Sequence, residues 1–354
     1  MAPSTRSPAM HEPDEDDDWF ADEAPSETTA PPAANEFDHI ARLLRPLTRG
    51  DPVALDLLDD VAVLPSRPDH DLVITKDAMV AGVHFLADES LDVVARRLLR
   101  TNISDLAAKG AEPYGYFLAV GWPSGSDVTS RETFARGLAE DGAVFDISLL
   151  GGDTVTTSGP FVVSATFLGW VPSGAAVLRR GAKPGDKLMV SGTIGDGWLG
   201  LMAQWGEVLD EDSSLLRRYR QPEPRVGLRD ALRAHAHAAA DVSDGLLADS
   251  GHLAKASGCR VRVDLERLPL SSGAAAWLET QPEDSEARLA LASGGDDYEI
   301  VCAVDPADAW AFRVAAAAVG IKVSEIGEFV EGEGVMAYYK RKDVTPTKLG
   351  WLHG

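Results

Sequence analysis

Six groups of aspartates carry the chemistry open to this chain: Asp59 with Asp60, Asp77, Asp105, Asp153, Asp241 with Asp244, and Asp296 with Asp297. Each falls where an apolar run ends or a helical pattern begins, beside Gly, Ser or Thr. Two carboxylates about 4 Å apart repel by roughly 4 kcal/mol at an effective dielectric near 20. Gathering several in one place is unfavourable unless cations neutralise them. The neighbouring donors are oxygens rather than His or Cys, which favours hard cations, Mg²⁺ before Zn²⁺.

The spacing around each group says how it could act. Asp71-Leu72-Val73-Ile74 reads as a buried strand leading into the stretch Thr75 to Phe85. Side chains alternate along a strand, so Thr75 and Asp77 face one way and Lys76 the other. A hydroxyl and a carboxylate then project together from a strand end, as a metal or phosphate site requires; a solvated turn is the competing reading. Gly151-Gly152-Asp153 follows the strand-like run Ile147–Leu150. Glycines let backbone amides approach a phosphate or base, and Asp153 can hold a metal, although the same residues also form an ordinary turn. Asp241-Val242-Ser243-Asp244-Gly245 places acids at i and i+3 with a helix behind; here the alternative is a plain N-cap. Asn102-Ile103-Ser104-Asp105 repeats that device, and it is expected to interrupt the helix Leu91–Ala108 and open a further turn.

Strands and helices that could position these groups alternate along the whole chain. Phe37, Ile40, Ala41 and Leu44 fall at helical spacing, and Leu57–Leu64 reads as a strand carrying Asp59 and Asp60. Strand patterns cover Pro113–Gly121, Phe161–Val171, Lys187–Gly192, Arg260–Leu265 and Ile300–Val304. Helical patterns cover Arg131–Asp141, Val226–Ala238 and Ala307–Val319. The expected class is α/β, or α+β with mixed sheets. Pro172-Ser173-Gly174 marks a boundary between an N-terminal domain, 36–172, and a C-terminal domain, 173–354. Residues 1–35, rich in Pro, Ser, Thr, Ala and acids, read as a disordered tail.

Composition excludes several function classes. The 354 residues carry a net charge of −23. Ten Asp or Glu against Arg6 alone place −9 of it in residues 1–36. So acidic a chain lacks the basic patches that nucleic acid demands. Two cysteines, Cys259 and Cys302, make neither a disulfide framework nor a zinc cluster. No apolar run is long enough to span a membrane and no secretory signal opens the chain, so the expected setting is cytoplasmic. No Walker-type or kinase-type glycine loop is present, and phosphate chemistry here needs another architecture.

Eight motifs in order carry a resemblance. They are Glu36-Phe37, Asp59-Asp60 with Ala62, Thr75 to Phe85, Asn102 to Ala108, Gly151 to Thr154, Arg180 to Asp186, Asp241 to Gly245, and Gly294 to Glu299. Over residues 36–354 the chain resembles the thiamine-monophosphate kinase family, within the superfamily that includes aminoimidazole ribonucleotide synthetase. The resemblance implies a two-domain, synthetase-like protomer, a homodimer paired through its N-terminal sheets, and a place in thiamine biosynthesis. It implies ATP-dependent phosphorylation of thiamine monophosphate to thiamine diphosphate, with ATP as co-substrate and several Mg²⁺ ions. Matched positions make Asp60, Thr75, Lys76, Asp77, Asp105, Asp153, Asp241 and Asp244 the metal set. Gly152, Asp153, Arg179 and Ser243 would contact ATP, and His84, Asp296 and Trp351 the substrate. The chain departs from the family at Leu57-Leu58, at Lys76 where many members carry Thr, at Asp296 where many carry Glu, and at its last residues. Lys76 is expected to contribute through its backbone while its amine points away; the alternative is an ammonium that replaces one Mg²⁺.

The phosphate-accepting substrate is already an oxyanion, so no general base is required and direct in-line transfer is expected. Rival readings are another ATP-using enzyme of the superfamily, or a non-catalytic nucleotide or divalent-cation binder. Selenophosphate synthetase and the hydrogenase-maturation dehydratase need a reactive residue near one terminus, and neither Cys259 nor Cys302 is so placed.

Overall fold

Alternating burial builds the first sheet of the protein, which is described by a computed structural model over residues 36–351. The acidic segment 1–35 and the last three residues lie outside the described residues. The short helix α1 (Glu36–His39) continues as a wider turn to Leu44. In β1 (His70–Val80), Val73, Thr75, Asp77 and Met79 turn inward while Leu72, Ile74, Lys76 and Ala78 face outward. Helix α2 (Leu91–Ala108) leads to β2 (Glu112–Pro123), and helix α3 (Val128–Phe145) leads to β3 (Ser148–Thr157) and β4 (Val162–Pro172). The strand order is β1-β4-β2-β3; β2 and β3 run parallel and the other pairs antiparallel, so the sheet is mixed. Leu98, Leu99 and Ile103 of α2 and Phe134 and Leu138 of α3 form its core with Tyr116 and Phe167. The Tyr116 and Phe167 rings stack with centroids 5.1 Å apart.

The second sheet has seven strands. In chain order its elements are β5 (Lys187–Ser191), α4 (Asp196–Gln204), α5 (Ser214–Arg220), α6 (Arg229–His235), β6 (Ala236–Asp241), α7 (Leu246–Ser257) and β7 (Arg260–Asp264). There follow α8 (Ser272–Glu279), α9 (Asp284–Ser293), β8 (Ile300–Val304), α10 (Ala309–Ala318), β9 (Val323–Val330), β10 (Gly334–Tyr339) and β11 (Lys342–Asp343). The strand order is β11-β10-β7-β9-β5-β8-β6. Strands β6 and β8 are short and buried throughout their centres, which explains their unbroken apolar runs. Helix α2 serves both halves: Ala107 and Ala108 at its C-terminal end pack with Met189, Ala239 and Cys302. The expected α/β class with two mixed sheets is what the protein adopts.

Four local expectations are corrected. Helix α2 runs unbroken through Thr101–Asp105, because nearly that whole stretch is buried and Thr101 and Asn102 donate their side-chain bonds back to Leu98 O. Leu57–Leu64 is not a strand; it follows a 3₁₀ segment (Pro52–Leu57) and runs irregularly, with Leu58, Val61 and Val63 exposed. An apolar run alone makes no strand without a neighbouring edge to pair with. Gly151–Thr154 does not end its strand but lies within β3. The helix expected over Val226–Ala238 stops at His235, where the chain enters β6. Among the described residues no helix is long and apolar enough to cross a membrane.

Candidate active site

The site forms where β1 and α2 of the first sheet layer meet β6 and the loop after it. Strand alternation aims Thr75 and Asp77 at α2, and Thr75 Oγ1 donates to Asp105 Oδ2 at 2.6 Å. Burial, then the neighbouring Asp105 carboxylate, push the Asp77 carboxyl up to about 6. Asp241, at the buried end of β6, is raised well above the ordinary range by burial, then by the charges of Asp105 and Asp249. Asp77, Asp105 and Asp241 therefore form one group across the two sheets.

The loop from Val242 to Gly245 continues the group. Asp249, in the first turn of α7, accepts from the backbone N–H of Ser243 at 3.0 Å and of Asp244 at 3.1 Å. Burial, then the adjacent Asp244 charge, raise Asp249 to about 7. Asp244, Asp249 and His252 present ligand atoms all within 4.8 Å of one another. Gly245 takes a φ of +122°, and a Cβ there would come within 2.9 Å of the Ser293 backbone, so only glycine fits this turn. Trp351 N donates to Asp244 O at 2.8 Å, which brings the C-terminal segment to the same loop. Asp296 N and Tyr298 N donate to Ser243 O and Val242 O, so the Gly294–Glu299 segment is laced to it as well. Arg179 lies close enough for its charge to act on Asp249, His252 and Lys109.

The residues present fit a hard divalent cation. The donors around Asp77, Asp105 and Asp241 are carboxylate and hydroxyl oxygens. Three carboxyls raised together mark a site built for more positive charge than its side chains supply. Asn102 Oδ1 is fully buried in the same turn of α2 without a hydrogen-bond partner among the described residues, and the buried Ser104 hydroxyl faces the Asp241 carboxyl. The Lys109 ammonium adds one fixed cation, donating to Ala239 O at 2.7 Å; burial lowers its pKa.

Three expected residues stand elsewhere. Asp77 pairs with Ala165, Ala165 with Leu118 and Leu118 with Gly152, so Gly152 lies three strands away. At the usual strand spacing that is about 14 Å. Gly152 is required in β3 because a Cβ would fall 1.9 Å from Leu118 O. Asp153 is exposed and accepts from Thr154 N at 2.9 Å. Asp60 and Asp153 line a cavity of about 580 Å³ with Phe37, Phe117, Gly152 and Trp122. One chain thus holds two acidic regions on opposite edges of its first sheet. Lys76 points to the outer face, as alternation predicts, and its Nζ donates to Ser164 Oγ at 2.8 Å. His84 lies just past the end of β1, its Nδ1 accepting from Val80 N at 3.2 Å.

Spacing in the sequence did not reveal Asp249, His252 or Lys109. Asp249 and His252 stand at i and i+3 on α7, a helical pair that could have drawn notice beside Asp244. Lys109 gives no such signal, because it looks like an ordinary residue ending a helix.

Both halves match the AIR synthase related class of domains. The AIR synthase related protein N-terminal domain matches residues 58–171 and its C-terminal domain residues 183–340. A curated thiamine-monophosphate kinase from Caulobacter vibrioides is 83% identical over 355 residues, covering 100% of both chains. The solved thiamine-monophosphate kinase from Stenotrophomonas maltophilia K279a superposes with a TM-score of 0.74 at 37% identity, covering 83% of this chain and 93% of that one. A second solved structure, AaThiL complexed with AMPPCP and TMP, gives 0.71 at 27% identity, covering 90% of this chain and 97% of that one. The chain belongs to the thiamine-monophosphate kinase family.

Proposed function

We propose that this chain transfers the γ-phosphoryl group of ATP to thiamine monophosphate, forming thiamine diphosphate and ADP by direct in-line displacement. The observation that carries the reading is the meeting of Thr75, Asp77 and Asp105 from one sheet layer with Asp241 and Asp244 from the other. The relative solved with AMPPCP and TMP supports this substrate pair.

Thr75, Asp77, Asp105, Asp241 and Asp244 would hold Mg²⁺ at the seam, with Lys76 contributing through its backbone only. Bound there, Mg²⁺ supplies the positive charge that phosphoryl transfer needs. Arg179 and the Ser243 loop hold ATP; His84, Asp296 and Trp351 hold the thiamine phosphate. His84 is a phosphate contact rather than a base, because its Nδ1 is already an acceptor for Val80 N. No side chain removes a proton, because the attacking oxygen is already ionised. We assign residues 36–172 to a nucleotide-binding and dimerisation domain and 173–354 to the domain that completes the site, in a cytoplasmic enzyme.

Asp60, Gly152 and Asp153 join this scheme through a second copy of the chain. Strands β1 and β3 are the two open edges of the first sheet, and the outer face of β1 exposes Leu72 and Ile74. A homodimer that sets β3 of one protomer near β1 of its partner unites the two acidic regions. The deciding experiment measures ATP-dependent formation of thiamine diphosphate with and without Mg²⁺. No product from a folded, ATP-binding preparation would overturn the kinase reading.

A further inference from the structure

Arg97 is the one charged side chain of α2 that is buried across the seam between the two sheets. Its side chain is 5% exposed. Nη2 donates to Asp296 Oδ1 at 2.7 Å, and Nη1 donates to the carbonyl of Tyr219. The guanidinium lies over the Tyr219 ring, 4.5 Å from its centroid, and 5.9 Å from that of Tyr298. Tyr298 Oη donates to the same Asp296 Oδ1 at 3.2 Å. Three separate groups of the second half therefore converge on one arginine of the first.

The carboxylate so held sits in an unusual backbone. Gly295, Asp296 and Tyr298 all take positive φ, +78°, +62° and +51°. For an aspartate and a tyrosine this is a sparsely populated region that persists only when its surroundings over-determine it. The surroundings do so: both backbone N–H groups are bonded to the Ser243 loop, and buried Asp297 accepts from Gly195 N and Gly197 N. Asp296 itself stays 29% exposed. Tyr298 lies within electrostatic reach of Asp77 and Asp241, which sets Asp296 beside the carboxylate cluster.

An unpaired carboxylate at that place would repel every incoming phosphate. Both Arg97 and Tyr298 bind Oδ1; the guanidinium partly offsets the charge, and the two bonds together orient the group. Oδ2 is then presented to a cationic or hydrogen-bond-donating ligand. A thiamine phosphate offers both in its thiazolium ring and its aminopyrimidine.

We propose that Arg97 is a positioning residue that acts across the domain seam, holding Asp296 ready for the thiamine end of the substrate. This rests on the phosphorylation of thiamine monophosphate proposed above. It predicts that affinity for thiamine monophosphate, but not for ATP, depends on this pair.

The test is steady-state kinetics of Arg97→Met, Arg97→Lys and Asp296→Asn, with thermal unfolding of each. Arg97→Met is expected to raise KM for thiamine monophosphate about tenfold or more while KM for ATP stays within about twofold. Arg97→Lys, which keeps charge but loses the fork, should fall between. Asp296→Asn should raise the same KM, and adding Arg97→Met to it should add little, because the two act as one unit. Reduced thermal stability with an unchanged KM for thiamine monophosphate would overturn the proposal, as would parallel rises in both KM values. Should Arg97→Met not fold, Arg97→Lys and Asp296→Asn carry the same readout. A folded wild type that binds ATP yet makes no thiamine diphosphate removes the proposed function instead. Coupling in unfolding would then show the pair as structural only, and the positioning role would fall with the function.

Discussion

Asn102-Ile103-Ser104-Asp105 and Asp241-Val242-Ser243-Asp244 share a pattern of side chains but not a backbone. The first is the interior of an unbroken, buried helix. The second is a loop between β6 and α7, held open by Gly245 and clipped by Asp249. Asn102 of the helical copy, like Thr101 just before it, bonds back to Leu98 O, and the geometry of this copy is set by packing. The loop copy is set by two hydrogen bonds to one carboxylate. Asp105 is thus carried on a rigid rod and Asp244 on a tethered loop, and the site is assembled from one of each.

That difference can be broken from either side. Asp105→Asn should have the largest effect, because Asp105 is shared by Thr75, Asp77 and Asp241; a fall in kcat of about 10²-fold or more is expected, read by thiamine diphosphate formation at saturating Mg²⁺. An unaltered kcat would remove Asp105 from the centre. Next comes the distance between the seam and the β3 edge. Asp105→Asn and Asp153→Ala, each nearly inactive alone, should regain about a quarter of wild-type activity when co-refolded, since half the dimers then carry one intact site. Absence of any recovery would mean that Asp60 and Asp153 serve some other site.

Asp249→Asn should loosen the loop copy alone. The expected result is an increase of several-fold in the Mg²⁺ concentration for half-maximal activity, with a smaller change in kcat than Asp105→Asn gives. An equal loss of kcat in both would erase the contrast between rod and loop.

Protonation offers a gentler probe. Folding raises Asp77 to about 6 and Asp249 to about 7, from an ordinary aspartate value near 3.9. The folded chain therefore binds protons that the unfolded chain has released, and stability falls as pH rises from about 4 through 7. Thermal unfolding in EDTA should show a lower midpoint at pH 7.5 than at pH 5, and Mg²⁺ should reduce that loss. A midpoint in EDTA that climbs over this range would contradict the crowding of carboxylates. The smallest effect is expected from Lys76→Ala. Its amine is bonded to Ser164 on the outer face, so Mg²⁺ dependence should change by no more than about twofold.

Residue types determined much of this protein by themselves. Alternation along His70–Val80 fixed which way Thr75, Asp77 and Lys76 point, because a strand's period is two whatever surrounds it. Aspartates flanked by Gly, Ser and Thr at element ends announced an acidic cluster, and the alternation of strands and helices announced the fold class. Tertiary structure alone decided the rest. Burial against both cores kept α2 helical through a polar cluster that local propensity would break. Absence of a pairing edge left Leu57–Leu64 irregular despite its apolar pattern. Strand order β1-β4-β2-β3 separated Asp153 from Asp77, and no spacing along a chain encodes strand order. Arg97 and Lys109 became visible only once distant segments met, because the worth of a charge depends on what folding brings beside it.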